Sequence, residues 1–114
     1  MSGISTHVLD TARGKPAARV PLRLERQDAA GNWQQIGAGE TDENGRCAQL
    51  LPQDERLREG VYRLTLDTGK YFAAQNIAGL YPVVEITFTA RAGEAHFHIP
   101  LLLSANGYTT YRGS

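Results

Sequence analysis

The chain has 114 residues, of which 41% are hydrophobic and 21% charged; that is one domain's length with enough apolar content for a packed core, and it excludes intrinsic disorder. Lysine plus arginine and aspartate plus glutamate number 12 each, a formal net charge of zero, so no bulk field draws the protein to nucleic acid or to an anionic membrane surface. The single cysteine, Cys47, cannot form an internal disulfide and reads as an ordinary small hydrophobe.

Residues 1–11 lack the apolar stretch of a secretory leader, and no run approaches the length of a membrane span. The ending Arg112-Gly113-Ser114 is not a peroxisomal Ser-Lys-Leu address. A cytoplasmic location is therefore the expectation, by absence of signals. Residues 1–114 are expected to form one domain, with no linker, repeat or low-complexity tract. A domain this small, without a disulfide or an obvious structural metal, is short of buried surface, and oligomerisation is one remedy.

In chain order, turn signals recur at Gly14-Lys15-Pro16, Ala30-Gly31-Asn32, Asp42-Glu43-Asn44-Gly45, Glu59-Gly60, Ala92-Gly93 and Ala105-Asn106-Gly107. Between them lie short runs rich in Val, Ile, Leu, Thr, Tyr and Phe. This spacing predicts an antiparallel all-β sandwich or barrel. The expected strands are 6–12, 20–26, 33–41, 45–49, 61–67, 83–89, 95–103 and 108–113. Leu22 and Leu24 alternate with Arg23 and Glu25, and Tyr62, Leu64 and Leu66 alternate with Arg63, Thr65 and Asp67, the period of a half-buried strand. Residues 68–77 break the pattern. They are expected to form one short helix, with Asp67 or Thr68 as N-cap and Gly79 beyond the end.

The strand 95–103 carries the most information. Phe97, Ile99, Leu101 and Leu103 take one face, and His96, His98, Pro100 and Leu102 the other. The first face suits the sandwich core. The second presents two imidazoles, which are either ordinary surface residues or functional ones. In the first strand, parity sends Val8 to the core and His7 away from it. Two histidines on one strand face can share a metal, but a zinc site needs a third or fourth ligand, and no cysteine pair or histidine spacing supplies one. No metal is expected. Arg46 follows a turn and, taken alone, reads as a solvated arginine. The tail from Gly107 to Ser114 carries two tyrosines and an arginine, more than a fraying end needs. There is no phosphate-binding glycine loop and no nucleophile elbow.

Ser5-Thr6-His7-Val8-Leu9-Asp10-Thr11-Ala12-Arg13-Gly14-Lys15-Pro16-Ala17 resembles the amino-terminal signature of the 5-hydroxyisourate hydrolases, enzymes of the transthyretin-like family. His96-Phe97-His98-Ile99-Pro100-Leu101-Leu102-Leu103-Ser104 resembles their histidine-bearing strand, and Tyr111-Arg112-Gly113-Ser114 the tetrapeptide that separates them from vertebrate transthyretin. Thr41-Asp42-Glu43-Asn44-Gly45-Arg46 and Tyr71-Phe72-Ala73-Ala74 also fit, so the resemblance runs nearly the whole chain. One departure is Ala105, where many members place proline after the serine. It gives up a fixed φ, and a looser turn is expected.

The resemblance implies a transthyretin-like antiparallel β-sandwich of about eight strands with one short helix. It further implies a homotetramer, a dimer of dimers with active sites in channels between dimers, and no cofactor. The implied reaction is hydrolysis of a ring amide of 5-hydroxyisourate, in urate breakdown, to 2-oxo-4-hydroxy-4-carboxy-5-ureidoimidazoline. His7, Arg46, His98 and Ser114 carry over as catalytic residues, and His7, Arg46 and Tyr111 as substrate-binding residues. His7 and His98 would activate and position water. Arg46 would bind the planar heterocycle and stabilise the developing oxyanion. Parity places Tyr111 on the face of Thr109, where it would meet the substrate ring, and Ser114 with Arg112 on the opposite face. His96 would support His98 from the same face. Two other readings stand beside this one: a transthyretin-like small-molecule carrier, which wants an apolar groove, and a non-enzymatic, monomeric β-sandwich interaction module.

Overall fold

The computed structural model describes residues 3–114; residues 1 and 2, the start of the segment read above for a leader, lie outside the described residues. The strands are β1 Gly3–Asp10, β2 Lys15–Pro16, β3 Pro21–Gln27, β4 Trp33–Glu40, β5 Arg46–Cys47, β6 Gly60–Leu66, β7 Val84–Ala90, β8 His96–Ser104 and β9 Gly107–Thr110, with a single helix, α1 Thr68–Ala73, between β6 and β7. They form two sheets. One runs β2-β1-β8-β9 with β5 also paired to β1, and the other runs β4-β3-β6-β7. The alternating side chains do what their period requires. Leu22, Leu24, Tyr62, Leu64 and Leu66 from one sheet meet Ile4, Val8, Phe97, Ile99, Leu101 and Leu103 from the other in one buried cluster.

The pairings are antiparallel with one exception. Strands β1 and β8 run parallel, with Gly3 opposite His96, Ser5 opposite His98 and His7 opposite Pro100. These two strands form the centre of their sheet, and their outward faces carry the imidazoles.

Element boundaries moved in several places: the first strand, expected over 6–12, is Gly3–Asp10, and the last, expected over 108–113, is Gly107–Thr110. Residues 45–49 give only the two-residue β5, and Lys15–Pro16, read as part of a turn, pairs with Leu9 and Asp10 as β2. The helix ends at Ala73, short of residue 77, because Asn76 adopts φ 57°. Asparagine tolerates this left-handed conformation better than most residues, and the helix cannot continue through it. Asp67 caps the other end, accepting from the Lys70 N–H at 3.3 Å. Tyr71 then anchors α1 to the end of β1, its buried hydroxyl donating to Asp10 Oδ2 at 2.7 Å. The turn at 104–107 closes as a two-residue hairpin, with Ser104 paired to Gly107. The Leu80 N–H donates to the Ala105 carbonyl at 2.8 Å, so a tie from outside the hairpin stands where proline's ring would stiffen it.

Candidate active site

The turn before β5 builds one side of the site. Gly45 lies at φ 76°, and a Cβ there would come within 2.4 Å of the Val8 carbonyl oxygen, so this position excludes every side chain. The Asp42 carboxylate accepts from the Asn44 N–H at 2.8 Å and the Arg46 N–H at 2.9 Å. These bonds hold its pKa below the ordinary carboxylate value, with the Arg46 amide the largest cause. The turn thereby delivers Arg46 opposite His7 in the β1–β5 pairing, and opposite residues of a sheet share a face. His7 Nε2 lies 3.0 Å from the Asn44 carbonyl oxygen. A carbonyl only accepts, so Nε2 carries the proton and Nδ1 is free to accept.

The β1–β8 pairing builds the other side. Ser5 is only 8% exposed, and its hydroxyl lies 2.8 Å from His98 Nδ1 and 3.0 Å from His96 Nε2. The opposite edge of the His98 ring abuts the tail. The Gly113 N–H donates to the His98 carbonyl at 2.8 Å, and a Cβ at Gly113 would sit 2.5 Å from His98 Cδ2 and 3.1 Å from Pro100 Cγ. Glycine is required there because the imidazole occupies the space. Burial, then the charges of His7, His96 and Arg46, push the His98 pKa below the ordinary imidazole value. The shift favours neutral His98, the form in which a ring nitrogen accepts a proton.

His7, Arg46 and His98 therefore come together on the outward face of one sheet, with His96 beside them. Tyr111 and Ser114 do not join them by any side-chain hydrogen bond among the described residues. Tyr111 is 55% exposed and borders a separate hollow of about 390 Å³ with Phe88, Phe97 and Arg112. It follows Thr110, where the regular pairing of β9 stops. Ser114 is exposed; Gly113, one residue earlier, is the tail residue that meets His98. Two further residues escaped the sequence reading, Ser5 and Gly113. Parity with His7 was a signal for Ser5, but its meaning needs the parallel register with His98.

Other features carry less chemistry. A larger hollow of about 690 Å³ lies between α1 and the β1–β2 turn, bordered by Arg13, Lys15, Arg19, Lys70 and Tyr71; it holds no imidazole or thiol to act as base or nucleophile. Cys47 is half-buried against the core, and burial pushes its thiol pKa up, which leaves it a poor nucleophile. Among the described residues, no group of three or more His, Cys, Asp or Glu side chains is placed to hold a metal ion. No helix among them is long and apolar enough to cross a membrane.

A two-sheet sandwich with imidazoles and a guanidinium on one outward sheet face defines the class, a transthyretin-type β-sandwich. The match to a family model, described as the HIUase/Transthyretin family, spans residues 4–113. The chain belongs to that family. It is 43% identical to a 5-hydroxyisourate hydrolase of Mus musculus over 114 residues, covering 99% of this chain and 96% of the relative. Among solved structures, transthyretin from Sparus aurata matches with a TM-score of 0.91 at 33% identity, covering 99% of this chain and 97% of that one. The 5-hydroxyisourate hydrolase of Klebsiella pneumoniae matches with a TM-score of 0.86 at 36% identity, covering all of both chains. Backbone shape is shared by a transthyretin and a hydrolase, so the side chains on the outward face must separate the two activities.

Proposed function

We propose that this chain hydrolyses 5-hydroxyisourate, opening its six-membered ring at an amide bond to give 2-oxo-4-hydroxy-4-carboxy-5-ureidoimidazoline in urate breakdown. The observation that carries the reading is the convergence of His7, Arg46 and a neutral-biased His98 on one outward face. The relatives named as hydrolases agree with it.

His98 accepts a proton from water, and the resulting hydroxide attacks the amide carbon. Arg46 donates to the carbonyl oxygen as negative charge gathers there. His7 positions the water or the substrate through its free Nδ1. The proton on His98 passes to the departing ring nitrogen as the C–N bond breaks, which restores the base. Tyr111 and Ser114 contact the substrate from the tail.

The acting unit is a homotetramer, a dimer of dimers, in which a second protomer closes over the imidazole face. Half-exposed Tyr81, Val83 and Tyr108 and the still more exposed Leu80 and Tyr111 supply apolar surface for such contacts. The chain acts as one domain in the cytoplasm and needs no cofactor. A carrier would want an apolar groove, and a guanidinium with two imidazoles is the wrong lining for that.

The experiment follows ultraviolet absorbance of fresh 5-hydroxyisourate, corrected for spontaneous decay. Decay accelerated by catalytic amounts of protein supports the reading. Decay at the spontaneous rate, with the ligand bound and unchanged, would establish the carrier. Light scattering on a sizing column is expected to give four copies; a monomer would overturn the closure by a second protomer.

A further inference from the structure

A serine hydroxyl has one proton. When two neutral imidazole nitrogens both lie within hydrogen-bond distance of it, its two lone pairs could accept from both rings, but its own proton is used only if one ring donates to the oxygen and the other accepts from it. Ser5 is in this position between His98 Nδ1 at 2.8 Å and His96 Nε2 at 3.0 Å. At 8% exposure the hydroxyl is largely closed to water, so the two rings are its effective partners. The protonation of His96 and that of His98 are therefore tied together, although the rings are two residues apart and point up the same face of β8.

Resting on the hydrolytic reading above, we propose that Ser5 and His96 are positioning residues that select the reactive tautomer of His98. In this relay His98 donates from Nδ1 to Ser5 Oγ, and Ser5 donates to His96 Nε2. Nε2 of His98 is then a bare lone pair, the one site on that ring that can take a proton from water. The opposite polarity would put a proton on His98 Nε2 and make the ring an acid toward substrate. Gly113 closes against Cδ2 on the other side of the ring, so the imidazole cannot escape the relay by turning over without displacing the tail.

The charged groups nearest the relay are Arg112 with Glu94 beside His96, and His7 and Arg46, whose charges reach His98. Arg112 donates to the His96 carbonyl at 3.1 Å and pairs with Glu94 at 2.6 Å. Glutamine at position 96 has an amide oxygen that can accept from Ser5 and stand in for His96 Nε2. Leucine can do neither.

The test compares the wild-type protein, His96→Gln, His96→Leu and Ser5→Ala by ¹⁵N spectra of histidine-labelled protein and by the steady-state kinetics of 5-hydroxyisourate decay. The wild-type protein and His96→Gln are expected to show His98 protonated at Nδ1 at neutral pH. His96→Leu and Ser5→Ala are expected to show mixed tautomers, with kcat lowered about 10- to 100-fold and KM changed by less than about twofold. Because His96 is exposed, its variants keep the test open even if Ser5→Ala fails to fold. One His98 tautomer throughout, or a His96→Leu protein with wild-type kcat, overturns the relay. If the wild-type protein does not accelerate decay, the hydrolytic reading falls instead, and the ¹⁵N pattern alone then decides whether Ser5 and His96 set the His98 proton.

Discussion

The outward faces of the two sheets are built from similar residue types and arranged to opposite ends. On the β3–β6 face, Arg63 Nε donates to Glu25 Oε1 at 2.8 Å, and its guanidinium lies 4.3 Å from the Trp33 ring centre. The Arg63 hydrogen bond is the main cause holding the Glu25 pKa down. Cation, anion and aromatic ring satisfy one another there. On the β1–β8 face, Arg46 forms no ion pair among the described residues. The histidines beside it have a serine and a carbonyl as hydrogen-bond partners, with no carboxylate. An arginine matched by a glutamate stabilises a sheet, while one left among neutral bases is available for developing negative charge.

The largest break in this comparison comes from deleting the unmatched groups. His98→Ala and Arg46→Ala are each expected to lower kcat/KM for 5-hydroxyisourate by about 10²- to 10⁴-fold, with circular dichroism and thermal unfolding close to the parent. Next, Gly113→Ala inserts a methyl where His98 Cδ2 stands and displaces the ring. A loss of about 10²-fold in kcat is expected, measured by the same assay.

A smaller effect sharpens the electrostatics. Arg46 is one of the charges that lower the His98 pKa, so Arg46→Gln should move the His98 titration, followed by histidine NMR, to higher pH. The same shift sets a sign for stability. Native His98 binds its proton at lower pH than it does in the unfolded chain. Between the two values the unfolded state holds more protons, so stability falls as pH drops through that window. Urea titrations at stepped pH are expected to show this slope, reduced in His98→Phe. The smallest change belongs to the matched face. Glu25→Gln should cost at most about 1 kcal/mol in urea unfolding and leave hydrolysis unaltered; a lost activity there would erase the distinction between the two faces.

Much of the fold was legible because burial in a sandwich has a period of two. Leu22 with Leu24, Tyr62 with Leu64 and Leu66, and Phe97 through Leu103 by alternate residues announce their strands and all are buried. The same parity placed His7, His96 and His98 outside the core. What alternation does not carry is pairing. Nothing local to Ser5 says that it lies opposite His98 in a parallel register, so the serine between the two imidazoles was invisible. The two-residue β2 and β5 are too short to show a period, and the early helix end depends on the φ of one asparagine, Asn76. Tyr111 follows the last regular pair of β9, where parity ceases to predict direction. The family resemblance supplied Arg46, which the local sequence alone left as a solvated arginine.

The parallel pairing of β1 and β8 has a consequence for how the protein comes into being. Ser5 and His98 are 93 residues apart in the chain, and both belong to the two strands at the centre of their sheet. During synthesis β1 leaves the ribosome long before its neighbour exists, and it must wait, unpaired along that edge, until nearly the whole chain has emerged. Closing so long a loop is slow. The β3–β4 and β3–β6 ladders join nearer segments and can form while the nascent chain grows. The imidazole face therefore depends on a long loop closure, and a truncated translation product lacking β8 has neither His98 nor the partner strand of β1.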